Sequence, residues 1–567
     1  MKKTMSVLQV LFLVAGVFAA GVNGTEKKSI TALKMDKYDE GQMGTLEIQL
    51  EVGKTVLMEY EKSPTITPSA EEKKKGYLVF LRNYLFEVKP YVGPSQAEIG
   101  KKDLKVFATP GEFEPIVFGV FPLEKLTNCK IDVSDFVSET GEKMAKDVFQ
   151  INNVCYRPIA VSQNDPVDVR AEILIKAKEI PLIEAGISKM IWINVKVPET
   201  AKEGTYKGKV TFTPAGKTAS EIPVEVKVLP FKLLQFPPEV MSYVPAMAGS
   251  WNFEVLEKEF TAIREHGMTG EVVGGELGPE GDKYNDFTKA NKFMEVARKT
   301  GMPGKFYSWY GHIQGVSKFS EMAKFFTVEN QNRMKDVMAK TRDNAKANNW
   351  LPWVQYLTTE LGSSTSGGKD DFAKTMKASG EYYTALRAVE GVKLIATFNR
   401  QEQLTMHWNL PALDETGFNG EMFPEWEKAA KAKPSMMTFV AIDQRCGYGF
   451  YLWKFNLKSA RPWCLHPYIM GPKEPGLLYY ENKEERPSAR FERIREGVDD
   501  FKYVYTLNEY VKQAKAKGKD TSVAEKTIQT VMGKIPHDHK KDAPGADYTK
   551  LDEYRWQLAE QIIKLSK

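Results

Sequence analysis

Glu360 closes an apolar run, Trp353-Val354-Gln355-Tyr356-Leu357-Thr358-Thr359, and opens into a loop rich in glycine and serine, 361–368. A carboxyl group so placed can act as a general acid if apolar neighbours hold its pKa up, because burial disfavours the charged form. By residue type alone it reads first as an ordinary charged loop residue. Tyr307, Trp309, Tyr310 and His312 cluster after another short apolar run. Aromatic faces pack on the apolar faces of sugar rings and a histidine can hydrogen-bond hydroxyls, so the cluster reads as a sugar subsite or as a packed loop. Arg400 and the pair His407-Trp408 lie in a long segment further on, and Trp453 sits in a third aromatic run, as a pocket floor or as filling for a core. No CxxC, HExxH or other metal-ligand spacing occurs, and His537 and His539, beside Lys540 and Lys541, read as surface. No metal or organic cofactor is implied.

The elements that must carry these residues follow from periodicity. The run ending at Glu360 is β-branched and aromatic, bounded by glycine and serine, and flanked by patterns of helical period, which predicts a strand in a β/α repeat. Strands are predicted at 239–244, 270–273, 305–309, 353–360, 392–398, around Gly417-Phe418, at 435–442 and at 449–455. Helices are predicted at 254–266, 285–300, 329–348 and 371–389. Regular alternation implies a (β/α)8 TIM barrel over 236–485, where chemistry sits at the C-terminal ends of the strands. A doubly wound sheet is the alternative, but no glycine-rich phosphate turn follows its first strand. Beyond Pro487 the chain reads as helical. Phe491, Ile494, Val498, Phe501 and Tyr505 share one face, so the segment 486–567 is expected to pack on the barrel.

Residues 25–235 show strand periodicity with turn signals at short spacing, as in a β-sandwich. The prolines between Leu229 and Pro238 mark the boundary between the two patterns. Residues 1–24 have the basic start, apolar stretch and small residues of a secretory signal peptide, so the mature chain is expected in the periplasm or outside the cell, with no membrane span once the leader is removed. The formal net charge is +5 over 567 residues, and losing Lys2 and Lys3 with the leader lowers it further. With no concentrated basic stripe, nucleic acid is not an expected partner. Four cysteines in an exported chain permit three pairings, Cys129–Cys155 and Cys446–Cys464 among them, and require none. The oligomeric state is not legible.

Several of these stretches resemble glycoside hydrolase family 123. Trp192-Ile193-Asn194-Val195-Lys196-Val197-Pro198-Glu199, Gly204-Thr205-Tyr206-Lys207-Gly208 and Leu229-Pro230-Phe231 are similar to its N-terminal β-sandwich. Gly447-Tyr448-Gly449-Phe450-Tyr451-Leu452-Trp453 is similar to its last barrel strand, and Arg461-Pro462-Trp463 and Arg490-Phe491-Glu492-Arg493-Ile494-Arg495-Glu496-Gly497-Val498-Asp499-Asp500-Phe501 also resemble the family. The resemblance covers nearly all of the mature chain and implies an exo-acting glycosidase with a glycan or oligosaccharide substrate. In that family an Asp-Glu pair ends the fourth barrel strand. The Glu protonates the glycosidic oxygen, and the Asp orients the substrate's 2-acetamido group, whose carbonyl oxygen attacks the anomeric carbon. Here Glu360 matches the acid, but Thr359 stands where the Asp is expected, and a hydroxyl supplies no negative charge. Asp443, at the end of the predicted seventh strand, is a candidate nucleophile or charge stabiliser; paired with Arg445 it would be structural.

Overall fold

The structure is a computed structural model. It describes residues 25–31, 55–61 and 64–567, apart from 91, 160–167, 247–252, 275–276, 312, 315–322, 360, 362–367, 400–401, 404–406, 408–409, 420–421, 423, 440–443, 467–475, 482–483 and 538–546. Besides a two-stranded antiparallel pair, Thr25–Thr31 with Thr55–Glu61, two larger sheets form the N-terminal part. One runs in the order Asp168–Lys176, Phe149–Ile159, Lys189–Lys196, Phe113–Pro122, Tyr77–Phe80; the other runs Glu179–Ile183, Leu126–Val133, Gly204–Thr213, Ser220–Val228, Leu104–Ala108. Ile191, Ile193 and Val195 enter the core shared with Val210, Phe212, Val224 and Val226 of the second sheet. Met190 and Trp192, on the opposite face of the same strand, join a second core with Phe231 and Phe501. Burial on both faces explains why Met190 to Ile193 is an unbroken apolar run rather than an alternating one.

After Val228 the pattern changes to strands alternating with helices. Eight short strands pair in parallel: β1 (Ser242–Tyr243), β2 (Val272–Val273), β3 (Phe306–Ser308), β4 (Trp353–Thr359), β5 (Leu394–Phe398), β6 (Glu415–Asn419), β7 (Ser435–Phe439) and β8 (Ser459–Ala460). They are ordered β1-β8-β7-β6-β5-β4-β3-β2, with Ile313–Gln314 added beside β4. The parallel bridge Ala246↔Val272 brings the two ends together, so the sheet curls round on itself. Helices Phe253–Glu265, Thr288–Lys299, Val328–Ala347, Gly368–Leu386 and Pro424–Ala432 lie between successive strands.

One strand expectation is corrected. The run 449–455 is not the eighth strand: Phe450–Lys454 is helical, and β8 is the later pair Ser459–Ala460. A short aromatic run fits either period, and tertiary packing decided it. The backbone at Gly449 lies against Gly497, where an added Cβ would come within 2.6 Å of a carbonyl oxygen, so this turn is pressed onto the Ala489–Ala516 helix. Trp453 is therefore no barrel floor. Its ring packs edge-on against Phe501 with centroids 5.2 Å apart.

The Ala489–Ala516 helix, capped by Ser488, is buried on nearly all sides. Besides Phe491, Ile494, Val498 and Phe501 it buries Arg495, Glu496 and Asp500, because it runs between the sandwich and the helices that follow. Arg555, on the Leu551–Ser566 helix, meets Asp500, Glu496, Glu112 and Glu114. Arg445 meets Asp500 and Asp552 and donates to Tyr84 Oη at 2.6 Å. Two guanidiniums thus fasten sandwich residues to the C-terminal helices.

None of the permitted disulfides forms: Cys129, Cys155, Cys446 and Cys464 are buried thiols. Cys129 lies opposite Ile180 in one sandwich sheet and Cys155 opposite Ile173 in the other, so their pairing is excluded by the layer between them. Burial pushes the Cys129 thiol up to about 12. Dithiothreitol is therefore expected to leave the thermal midpoint unchanged, and thiol alkylation to require unfolding. A midpoint lowered by reductant would contradict these thiols.

Candidate active site

Side chains alternate across each strand of the curled sheet. Val244, Val272, Tyr307, Val354, Tyr356, Ile395 and Met436 form one inner cluster with Trp309 against it. Their neighbours Tyr243, Val273, Phe306, Leu357, Leu394 and Met437 belong to the large outer core under the helices. The inside is therefore filled by side chains from alternate positions of the strands.

The lowest inner layer is a closed polar network. Lys305 is ion-paired with Glu415, and Tyr307 Oη donates to Glu415 Oε2 at 2.7 Å and lies 2.7 Å from Ser459 Oγ. Burial, then the Glu415 charge, raises the Tyr307 pKa well above its ordinary value. Tyr307 is fully buried with its hydroxyl engaged, so it is corrected from subsite residue to core residue.

The next layer, nearer the C-terminal ends of the strands, is different. Arg461 follows β8 and is 4% exposed. Its Nη1 donates to Tyr356 Oη at 3.1 Å, and its guanidinium lies 5.6 Å from the Trp309 ring, 5.7 Å from Tyr356 and 5.9 Å from Trp463. Trp309 and Tyr356 meet edge to face at 6.0 Å. Tyr310, half-buried, packs onto the Gly278 backbone, where an added Cβ would strike its ring, and its carbonyl accepts from Gln355 Nε2 at 2.9 Å. It reads as a loop anchor.

Thr359, the last residue of β4, is buried, and its Oγ1 finds no hydrogen-bond partner among the described residues. Thr397 Oγ1 on β5 and Arg461 Nε share that condition. The strand ends around them are tied together. Asn419 Nδ2 donates to Asn399 Oδ1 at 2.7 Å, Asn399 N–H to Gln403 Oε1 at 2.8 Å, and Gln403 Nε2 to the Leu361 carbonyl. Behind β4, Thr358 Oγ1 hydrogen-bonds Tyr383 Oη. Buried polar atoms are normally paired, so three orphans at the C-terminal ends of β4, β5 and β8 mark where a polar ligand would complete the structure.

Glu360, Asp443, His312, Arg400 and Trp408 lie outside the described residues. Of the sequence candidates, Thr359 and Trp309 come to this end of the sheet, Tyr307 sits a layer below, Tyr310 is taken up by a loop, and Trp453 is on a helix outside. Sequence reasoning passed over Tyr356, Thr397, Arg461 and Trp463. Tyr356 was legible from the alternation inside its own strand, two residues after Val354. Arg461 followed the true eighth strand, which the misplaced one concealed. Among the described residues no group of His, Cys, Asp and Glu could hold a metal ion, and no helix is long and apolar enough to cross a membrane.

Comparison with known proteins agrees with this architecture. Residues 116–214 match the Glycoside hydrolase 123 N-terminal domain. No curated protein matches the sequence. A family 123 glycoside hydrolase from Clostridium perfringens, solved for the details of glycolipid glycan hydrolysis, superimposes with a TM-score of 0.65 at 13% identity, covering 87% of this chain and 100% of that one. A family 39 glycoside hydrolase from Bacteroides cellulosilyticus WH2 (12% identity, 70% of this chain and 82% of that one) reaches a TM-score of only 0.35, which carries no weight. The chain thus carries a segment matching the family 123 N-terminal domain and shares its overall fold with a family 123 glycoside hydrolase.

Proposed function

We propose that the protein is an exported glycoside hydrolase, periplasmic or extracellular after loss of residues 1–24, that removes a non-reducing terminal 2-acetamido sugar from a glycan. In this reading the curled sheet is a (β/α)8 catalytic barrel spanning 236–485, with the sandwich of 25–235 and the helices of 486–567 packed on it. Glu360 is the general acid that protonates the glycosidic oxygen. The substrate's acetamido carbonyl attacks the anomeric carbon, and the Thr359 hydroxyl accepts a hydrogen bond from the acetamide N–H. The observation that carries the reading is the set of unpartnered buried polar atoms, Thr359 Oγ1, Thr397 Oγ1 and Arg461 Nε, at or just past the C-terminal ends of β4, β5 and β8, with Thr359 next in sequence to Glu360. No cofactor enters the chemistry.

Thr359 also supports a second reading, a barrel that binds glycans without cleaving them. Losing a carboxylate that stabilises the cyclised cation costs about 3–4 kcal/mol of barrier, or several hundredfold in rate. A third arrangement keeps turnover by letting Asp443 supply the charge, which requires it within about 10 Å of Glu360.

Aryl glycosides that differ only at the 2-position separate these. Substrate assistance predicts turnover of the 2-acetamido compound alone and inhibition by a thiazoline mimic of the cyclised intermediate. Turnover of a 2-hydroxy glycoside that is lost in Asp443→Asn would replace it with the paired-carboxylate route. Glycan binding with no turnover of either would leave the binding protein.

A further inference from the structure

Arg445, Arg555 and Arg461 are all buried, but only Arg461 faces the inside of the curled sheet at the end where the strands finish. The first two are surrounded by carboxylates. Arg461 is not. The one hydrogen bond its guanidinium makes to a described residue goes to the Tyr356 hydroxyl, its Nε is orphaned, and no carboxylate of the described residues stands within ion-pair distance. Trp309, Tyr356 and Trp463 surround the guanidinium at 5.6 to 5.9 Å. Ring faces attract a cation and offset part of the cost of burying it, but they take up none of its in-plane donors. A guanidinium has five N–H groups in a planar fork that matches two oxygens of a carboxylate or sulfate. A sugar hydroxyl could accept from one of them and would leave the charge uncompensated.

The geometry points to Arg461 as the binding group for an anionic substituent, a carboxylate or a sulfate, on the sugar, with Trp309, Tyr356 and Trp463 as the walls of that subsite. The assignment rests on the glycosidase site proposed above and narrows its substrate class to acidic sugars. Arg461 is then a specificity-determining residue and takes no part in proton transfer.

The test is calorimetric titration of the intact protein with matched pairs: N-acetylgalactosamine against its 6-sulfate, and glucose against glucuronate. Wild type should bind at least one charged member about tenfold or more tightly than its neutral partner, with a preference that weakens as salt rises. The sulfate and carboxylate arms identify which anion is read. Arg461→Gln should abolish the preference and Arg461→Lys keep part of it. Equal binding of charged and neutral sugars by wild type would overturn the inference, and that comparison stands even if Arg461→Gln fails to fold. A preference that survives Arg461→Gln would overturn it too. Turnover of neutral aryl glycosides without any charge preference would remove Arg461's role and leave the glycosidase reading intact. A charge preference dependent on Arg461 without turnover would do the reverse.

Discussion

Glu360→Gln should lower kcat for a 2-acetamido glycoside with a poor leaving group by about 10²–10⁴-fold, the range that a positioned general acid supplies. That loss corresponds to roughly 3–5 kcal/mol of barrier. The glutamine keeps the shape and loses the proton, so binding of the intact sugar should change little. The loss should shrink sharply for a dinitrophenyl glycoside, whose leaving oxygen needs no protonation. The descending limb of the pH–rate profile, where the acid has given up its proton, should disappear with it. Comparing the two leaving groups in wild type and variant checks this. An equal loss on both substrates would show that Glu360 acts otherwise than as an acid, and unchanged turnover would remove it from the mechanism.

Arg555→Met should be the most damaging single change to stability. Arg555 is the only cation in contact with Glu112, Glu114 and Glu496 among the described residues, and it shares Asp500 with Arg445. Removing one partner of a buried ionic cluster leaves uncompensated charge, at about 3–5 kcal/mol. The size should depend on pH. Burial first, then neighbouring carboxylates, raises Glu112 to about 7 and Glu496 to about 8. Burial also raises Glu114 well above the ordinary range. In the unfolded chain these groups titrate near 4.5. The folded state therefore keeps protons that the unfolded state has already lost. The stabilisation from Glu112 and Glu496 is complete below about 4.5 and disappears as pH rises through 7 to 8, and Glu114 adds to it in the same sense. Wild type should accordingly be less stable at pH 8.5 than at pH 5.5.

Without the guanidinium these carboxyl groups titrate still higher, so the deficit of Arg555→Met should be smallest near pH 5.5 and largest near pH 8.5. Asp552 works in the opposite sense. Burial raises it, but Arg445 and Arg555 outweigh that and lower it below the usual carboxylate value, so its contribution is lost only in stronger acid. Urea unfolding midpoints of both proteins across this range are the measurement. A deficit independent of pH would mean that Arg555 acts through packing and hydrogen bonds rather than charge.

The charges involved were visible in the sequence as Arg490 to Asp500, yet their arrangement was not. From spacing alone this helix has one apolar face, Phe491, Ile494, Val498, Phe501, and a charged remainder that would ordinarily face solvent. Burial of Glu496 and Asp500 depends on Arg555, 55 or more residues along the chain, which also reaches Glu112 and Glu114, nearly 400 residues before them. No local pattern encodes a partner at that distance. The same limit applied to Cys129 and Cys155, whose pairing the sequence allowed and whose placement in opposite sheets excluded it.

The sequence by itself determined the local elements: alternating strands up to Val228, β/α alternation afterwards, and the strand that ends at Thr359 before Glu360. These are legible because side-chain direction repeats every two residues in a strand and every 3.6 in a helix, and hydrophobicity follows direction. Tertiary structure alone decided whether the run 450–454 was strand or helix, since contact between Gly449 and Gly497 outweighs the β-propensity of Phe450, Tyr451 and Trp453. It alone moved β8 to Ser459–Ala460, and with it brought Arg461 inside the sheet against Tyr356 and Trp309. Strand pairing and helix packing join residues far apart in the chain, so which buried cation meets carboxylates and which meets aromatic rings, among the described residues, is a property of the assembled fold.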